Sequence, residues 1–235
     1  MMRNPPPVGG PRLKTGFDLP ERSDDDVRRA SRILAALRKR YPDAHCELDA
    51  NSPHELLVAT ILSAQATDVG VNKATPGLFA AFPTPADFAA SSPEAIAPHL
   101  RTLNFWRNKS KSVHGAMTML VERHDGAVPD DMESLLDLPG VARKTANVVL
   151  GNAFGINVGV VVDTHVGRIS QRFELTDETD PKRIEPHLMA LFPRPSWCLL
   201  SHLFIFHGRK VCKARGGGCA GDSICRRYCA NADAT

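Results

Sequence analysis

The chain has 235 residues, enough for one large domain or two small ones, and 43% of them are hydrophobic, so a sizeable core is expected. A formal net charge of +3 rules out a polybasic chain, so any nucleic-acid surface must come from local clustering of Lys and Arg. No stretch approaches the ~20 apolar residues needed to span a bilayer, and the amino terminus, with Pro5-Pro6-Pro7 and Gly9-Gly10, has no apolar signal core; a cytoplasmic protein without membrane contact is expected.

In chain order, residues 1–21 are rich in Pro and Gly without periodicity and read as a flexible tail. Ser23 to Arg40 reads as a helix, with Val27, Ala30, Leu34, Leu37 and Tyr41 as its apolar stripe and Pro42 as its stop. Ser52-Pro53-His54-Glu55 combines a capping Ser, a first-turn Pro and a Glu at the capping-box position, opening a helix to about Ala64. Asp68 is expected to cap the next helix, and Thr84-Pro85 and Ser92-Pro93 repeat the Ser/Thr-Pro start. Lys109 to His124 places Val113, Ala116, Met117, Leu120 and Val121 at helical spacing. Asp130 to Asp137, Pro181 to Phe192 and Ser196 to Gly208 complete the helices. Val158–Val162 is the one strand-like run and reads either as a strand or as a buried extended connector; with no second run to pair with, the fold class is all-α.

The pivotal stretch is Leu138-Pro139-Gly140-Val141-Ala142-Arg143-Lys144-Thr145-Ala146. Pro139-Gly140 breaks one helical pattern and Arg143 to Phe154 begins another, the layout of a helix-hairpin-helix. Gly140 can adopt backbone angles closed to other residues and lets a ligand approach the main chain. The free N–H groups that start the second helix form a ready phosphate site. Lys144 sits one turn inside that helix, and Asp163 stands at the start of a helix through Arg168 and Phe173. Either residue alone reads as a solvated lysine or a simple cap. The pair behind a hairpin suits amine nucleophile chemistry.

Two basic stretches could supply a bipartite DNA surface. Residues 101–124 hold five Lys or Arg against one Glu, and residues 205–229 hold six against one Asp. Of six cysteines, Cys212, Cys219, Cys225 and Cys229 fall near the carboxyl end. In a reducing compartment such a cluster reads as metal ligands before disulfides. Cys46 and Cys198 read as buried thiols.

On Leu138–Leu150, Val162–His165 and Leu62–Thr75, the chain closely resembles endonuclease III, of the helix-hairpin-helix DNA glycosylase superfamily, over about Val27 to Cys229. The resemblance implies a helical barrel domain over 46–157 carrying the hairpin. It also implies a discontinuous cluster domain over 22–45 and 158–235, with a DNA cleft between the two. It implies a monomeric bifunctional glycosylase and abasic-site lyase acting on oxidised pyrimidines in duplex DNA, with Lys144 as nucleophile and Asp163 as its electrostatic partner. DNA contacts would come from Gln65, filling the gap left by the extruded base, from Phe105 as a wedge, and from the hairpin residues Leu138, Gly140, Ala142, Arg143 and Thr145. His165 is a candidate contact in the base pocket. Two readings compete with this one: an adenine-mismatch glycosylase, which generally lacks the hairpin lysine, and a damage-binding module that does not cut.

Three departures from the family pattern stand out. Asn104 replaces the Gly that usually precedes the wedge, and Ala142 replaces a second hairpin Gly, tolerable if that residue is already helical. The cysteines have gaps of six, five and three residues instead of six, two and five, so Asp222 and Tyr228 occupy the places of the third and fourth family ligands. Four clustered thiols still suit a [4Fe–4S] cluster, with tetrahedral zinc as the alternative.

Overall fold

The structure, a computed structural model, describes residues 18–215 and 219–230; most of the expected tail lies outside them. Every regular element among the described residues is helical. The α-helices are α1 (Asp24–Arg40), α2 (Pro53–Leu62), α3 (Asp68–Ala81), α4 (Pro85–Ala89), α5 (Pro93–Ile96), α6 (Trp106–His124), α7 (Met132–Asp137), α8 (Arg143–Ala153), α9 (Thr164–Arg172), α10 (Pro181–Leu191), α11 (Trp197–Lys210) and α12 (Ser223–Tyr228). Short 3-10 turns cover Ala97–Leu100 and Arg194–Ser196. The chain forms two compact units, one spanning Cys46–Ile156 and the other combining the described residues through His45 with those from Asn157 onward.

In the first unit α6 is flanked by α2, α4 and α5, and α8 packs on α2 and α7. Its core is apolar, built from Leu57, Leu62, Leu78, Phe88, Ile96, Leu100, Met117 and Leu120, all fully buried. Each fully buried Leu or Phe contributes about 1.5–3 kcal/mol over exposure. The Ser/Thr-Pro starts behave as helix signals: Ser52, Thr84 and Ser92 accept backbone N–H bonds from Glu55, Asp87 and Ala95. Thr67 caps α3 by accepting from the Gly70 N–H, so Asp68 is the first helical residue and not the cap. Glu55 reaches back to the N–H of Asn51, one residue before the position a capping box would use.

The second unit is centred on Ile33, Leu37, Val166, Ile169, Phe173, Leu188, Leu200, Leu203 and Phe204. Here α11 packs on α9 and α1, and α10 packs on α9. Gly208 makes the close α9–α11 approach possible: a Cβ there would lie 2.8 Å from His165 Nδ1 and 2.9 Å from Arg168 Nη2. The run around Val158–Val162 is a buried connector, not a strand. Two stripe assignments fail at the margins, since Val27 and Val121 are 38% and 39% exposed. The real stripe of α1 uses Ile33 instead. Both misplaced valines lie at the edge of an apolar arc, where a shift of one residue turns a side chain toward solvent.

Candidate nucleic-acid interface and cysteine centre

The hairpin between α7 and α8 is built around one glycine. Leu138 is buried, and the Val141 N–H closes the turn on the Leu138 carbonyl at 3.1 Å. Gly140 has φ +79°, and a Cβ there would lie 2.7 Å from the Ser112 Cβ. Both the backbone angle and the lack of space on α6 therefore demand glycine. Ala142 is extended (φ −104°, ψ 169°), so it is the N-cap of α8 and not yet helical as expected; alanine fits because its φ is negative. It supplies no capping hydrogen bond to the first turn of Arg143, Lys144 and Thr145. Lys144 is exposed, while Arg143 and Thr145 are half-buried.

A second substructure of the same unit brings Gln65 and Phe105 to exposed loops. Gln65 follows α2 and Phe105 immediately precedes α6. Both occupy the left-handed region, with φ 52° and 56°. Such a conformation costs a non-glycine residue roughly 1–2 kcal/mol. Phe105 is 60% exposed and makes no capping hydrogen bond to α6. A hollow of ≈ 450 Å³ lies between the loops, lined by residues that include Gln65, Thr67, Gly70, Thr102 and Asn104. Asn104 is not among the positive-φ residues, so the family glycine is not needed for its backbone angle. Its Nδ2 donates to the Gln65 carbonyl at 3.3 Å. Behind Phe105, the guanidinium of Arg107 stacks over the Trp106 ring at 4.1 Å.

Within this unit, α2, α3, α4, α5 and α7 all begin at a capping side chain, whereas α6 and α8 do not. The two uncapped starts are those after Phe105 and after the Gly140 hairpin. A helix start without a side-chain cap is the kind of end that can meet an anion.

Lys109 departs from the sequence reading. It belongs to the basic stretch 101–124, yet it is only 5% exposed and its Nζ has no hydrogen-bond partner. Burial lowers its pKa. Its position, four residues before Val113 on the apolar stripe, is the signal that marks it as internal.

In the second unit Asp163 caps α9. Its Oδ1 accepts from the N–H groups of His165 and Val166, both at 2.8 Å. Its carboxylate is half-buried. His165 Nδ1 lies 3.0 Å from Arg168 Nη2, and that guanidinium also donates to the carbonyls of Cys212 and Gly208.

The four carboxyl-terminal cysteines are all buried. The Cys225 thiol lies within hydrogen-bonding reach of Cys212 and Cys219, and the charges of Cys212, Cys219 and Cys229 all act on Arg172. Hydrogen bonding from Cys225 and then from Arg172 holds Cys212 down at about 5. The neighbouring Cys212 and burial push Cys225 up. Arg172 Nη1 donates to Cys212 Sγ at 3.1 Å, and His207 Nε2 lies 3.3 Å from Cys225 Sγ. His207 is itself fixed by the Tyr41 hydroxyl at 2.9 Å.

Asp222 and Tyr228, at the places of the family's third and fourth ligands, have other work. Asp222 Oδ1 caps α12 by accepting from the N–H groups of Ile224 and Cys225, and its Oδ2 pairs with Arg40 at 2.8 Å. The Tyr228 carbonyl accepts from Arg29 and its ring packs against Phe173. The cap begins a short helix that carries Cys225 and ends at Cys229. This six-residue helix places Cys225 beside Cys212 and Cys219, while Cys229, like those two, acts on Arg172. Four buried thiols supply the donor chemistry of an iron–sulfur cluster, one thiolate to each iron. Cys46 and Cys198 are half-buried, less enclosed than expected. Arg172 and His207 lie 40 and 18 residues from their cysteine partners, beyond any local sequence pattern.

A family model described as HhH-GPD superfamily base excision DNA repair protein matches residues 58–194. Endonuclease III of Synechocystis is 52% identical over 207 residues, covering 88% of this chain and 94% of that protein. A solved non-covalent endonuclease III–DNA complex is similar with a TM-score of 0.82 at 38% identity, covering 88% of this chain and 97% of the other. A trapped endonuclease III–DNA covalent intermediate, an estranged-adenine complex, matches with the same TM-score, identity and coverage. This chain therefore belongs to the endonuclease III family of HhH-GPD base excision DNA repair proteins.

Proposed function

We propose that the protein is a bifunctional DNA glycosylase and abasic-site lyase that removes oxidised pyrimidines from duplex DNA, acting as a cytoplasmic monomer. The observation that carries the reading is Lys144, an exposed amine in the first turn of an uncapped helix on a glycine hairpin. The similar endonuclease III trapped covalently on DNA supports covalent chemistry of this kind.

The uncapped N–H groups of α8 bind a backbone phosphate. The damaged nucleotide is extruded from the stack while Gln65 and Phe105 hold its place. Neutral Lys144 attacks C1′ of the sugar, forming a C–N bond as the glycosidic bond breaks and the base leaves with its electron pair. The Asp163 carboxylate stabilises positive charge developing on the sugar. Opening of the sugar ring gives a Schiff base, which acidifies the C2′ hydrogen. Loss of that proton expels the 3′ phosphate by β-elimination, and water then releases Lys144.

Residues 46–157 would act as the hairpin-bearing domain, with 22–45 and 158–235 as the cysteine-bearing one. Cys212, Cys219, Cys225 and Cys229 would hold a [4Fe–4S] cluster, whose contribution is to cross-link the carboxyl-terminal loop without entering the reaction. Arg172 and His207 would donate to its sulfur ligands.

Borohydride added during turnover should trap wild-type protein on lesion DNA by reducing the Schiff base. Lys144→Gln should abolish trapping while DNA binding persists. Asp163→Asn, which keeps the cap, should slow base release by about tenfold or more, at least ~1.4 kcal/mol of transition-state stabilisation. An adduct mapped to another residue, or wild-type trapping by Lys144→Gln, would overturn the mechanism.

A further inference from the structure

Gln65 and Phe105, both left-handed, lie on different loops of the first unit, 40 positions apart in sequence, yet the loops are joined by a side chain. A non-glycine residue with positive φ persists only where its surroundings over-determine it. Around Gln65, the Ala66 N–H bonds to the Ser63 carbonyl at 3.1 Å, and Thr67 turns the chain into α3. The Gln65 carbonyl itself is held across the gap by Asn104 Nδ2, from the residue immediately before Phe105. On the other side, the Lys109 N–H bonds to the Phe105 carbonyl at 3.0 Å and fixes the start of α6. Asn104 is exposed and its backbone angle is ordinary, so neither core packing nor strain relief accounts for its side-chain position.

We infer that Asn104 is a positioning residue that latches the Gln65 loop to the Phe105 loop, so that the two side chains enter the duplex as one preorganised unit. The inference rests on the proposed roles of Gln65 and Phe105. Glycine, the usual family residue here, has no side chain with which to make this bond. In its absence each loop must be ordered separately when DNA binds, and that ordering opposes extrusion. The latch acts before chemistry. It therefore affects a base that must be pulled from the stack and spares an abasic site, where no base remains.

The test uses the full chain and duplexes with a fluorescent base analogue beside an oxidised pyrimidine. Asn104→Ala and Asn104→Gly should slow the fluorescence change that reports extrusion, and single-turnover base release, by about three- to tenfold. Nicking of a preformed abasic site should stay within about twofold. In a Gln65→Ala background, Asn104→Ala should cost much less than it does alone, because contacting residues that act together are not additive. Unchanged extrusion in both Asn104 variants, or full additivity with Gln65→Ala, would overturn the latch while leaving the wedge roles standing. If Gln65→Ala and Phe105→Ala themselves left extrusion unchanged, the wedge roles would fall and the latch with them.

Discussion

The two units treat their chemistry-bearing residues in opposite ways. In the unit spanning Cys46–Ile156, Gln65, Phe105 and Lys144 are exposed, two of them on strained backbone, and the helices at the wedge and hairpin start without caps. In the other unit, Cys212 and Cys225 are fully buried, with Arg172 donating to Cys212 and His207 Nε2 against Cys225. The groups proposed to meet DNA are exposed, at helix starts and loops without side-chain caps. Groups that would hold a permanent cofactor are enclosed and pre-paired. The contrast makes separate demands on stability and activity: damage to the exposed groups of the first unit, or to Asp163 of the second, should show in turnover, and damage to the buried cysteine cluster in folding.

The largest expected effect follows from that division. Cys225→Ala removes a buried thiol from the centre of the cysteine cluster and should lower stability by on the order of 3 kcal/mol or more if metal binding is part of the folding energy. Cys46→Ala should cost far less, because Cys46 is half-buried and outside the cluster. Thermal or denaturant unfolding of purified protein, together with metal analysis, measures both claims. Wild-type protein should be brown, with about four irons per chain. Equal destabilisation by the two variants, or colourless protein with stoichiometric zinc, would break the assignment.

A second effect concerns pH and the suppressed charges of the cysteine-bearing unit. Burial, with a smaller contribution from His45, lowers the His202 pKa to about 4. The unfolded chain takes up this proton near pH 6.5 and the folded chain only near pH 4, so the unfolded state binds more protons between them. Stability linked to His202 is therefore fully present above about pH 6.5, is lost as pH falls toward 4, and changes no further below that. The total is on the order of 3 kcal/mol. His202→Leu should flatten this part of the stability–pH curve. An unchanged slope would show that His202 is not the group responsible.

Legibility in the sequence followed the range of the interactions. Caps and turns were readable because their partners lie within four residues: Ser52, Thr84 and Asp163 all cap helices, and Gly140 makes the turn that Pro139-Gly140 suggests. The all-helical class followed from the same local signals. The α12 helix is only six residues long, too short for a repeating apolar stripe to mark it in the sequence. The Asn104–Gln65 bond and the contacts of Arg172 and His207 with their cysteines span 39, 40 and 18 residues, and no periodicity encodes them. The basic stretch 101–124 misled in a different way. Counting charges treats every lysine as solvated, yet helical phase puts Lys109 on the inside.

That lysine gives the smallest prediction and the sharpest probe of the contrast between units. Lys109 Nζ is buried without a hydrogen-bond partner, an arrangement that costs folding free energy whether the amine stays charged or is neutralised. Methionine has a similar length and flexibility and no polar terminus to satisfy. Lys109→Met should therefore raise stability, by about 1 kcal/mol, seen as a higher denaturant midpoint at unchanged slope. If the substrate-facing unit keeps polar capacity unmet for use with DNA, the same variant should lose glycosylase activity while it gains stability. Greater stability with unchanged turnover would make Lys109 an unimproved feature of the core. Lower stability would mean that the amine is satisfied in solution, and that the buried lysine belongs with the pre-paired groups of the other unit.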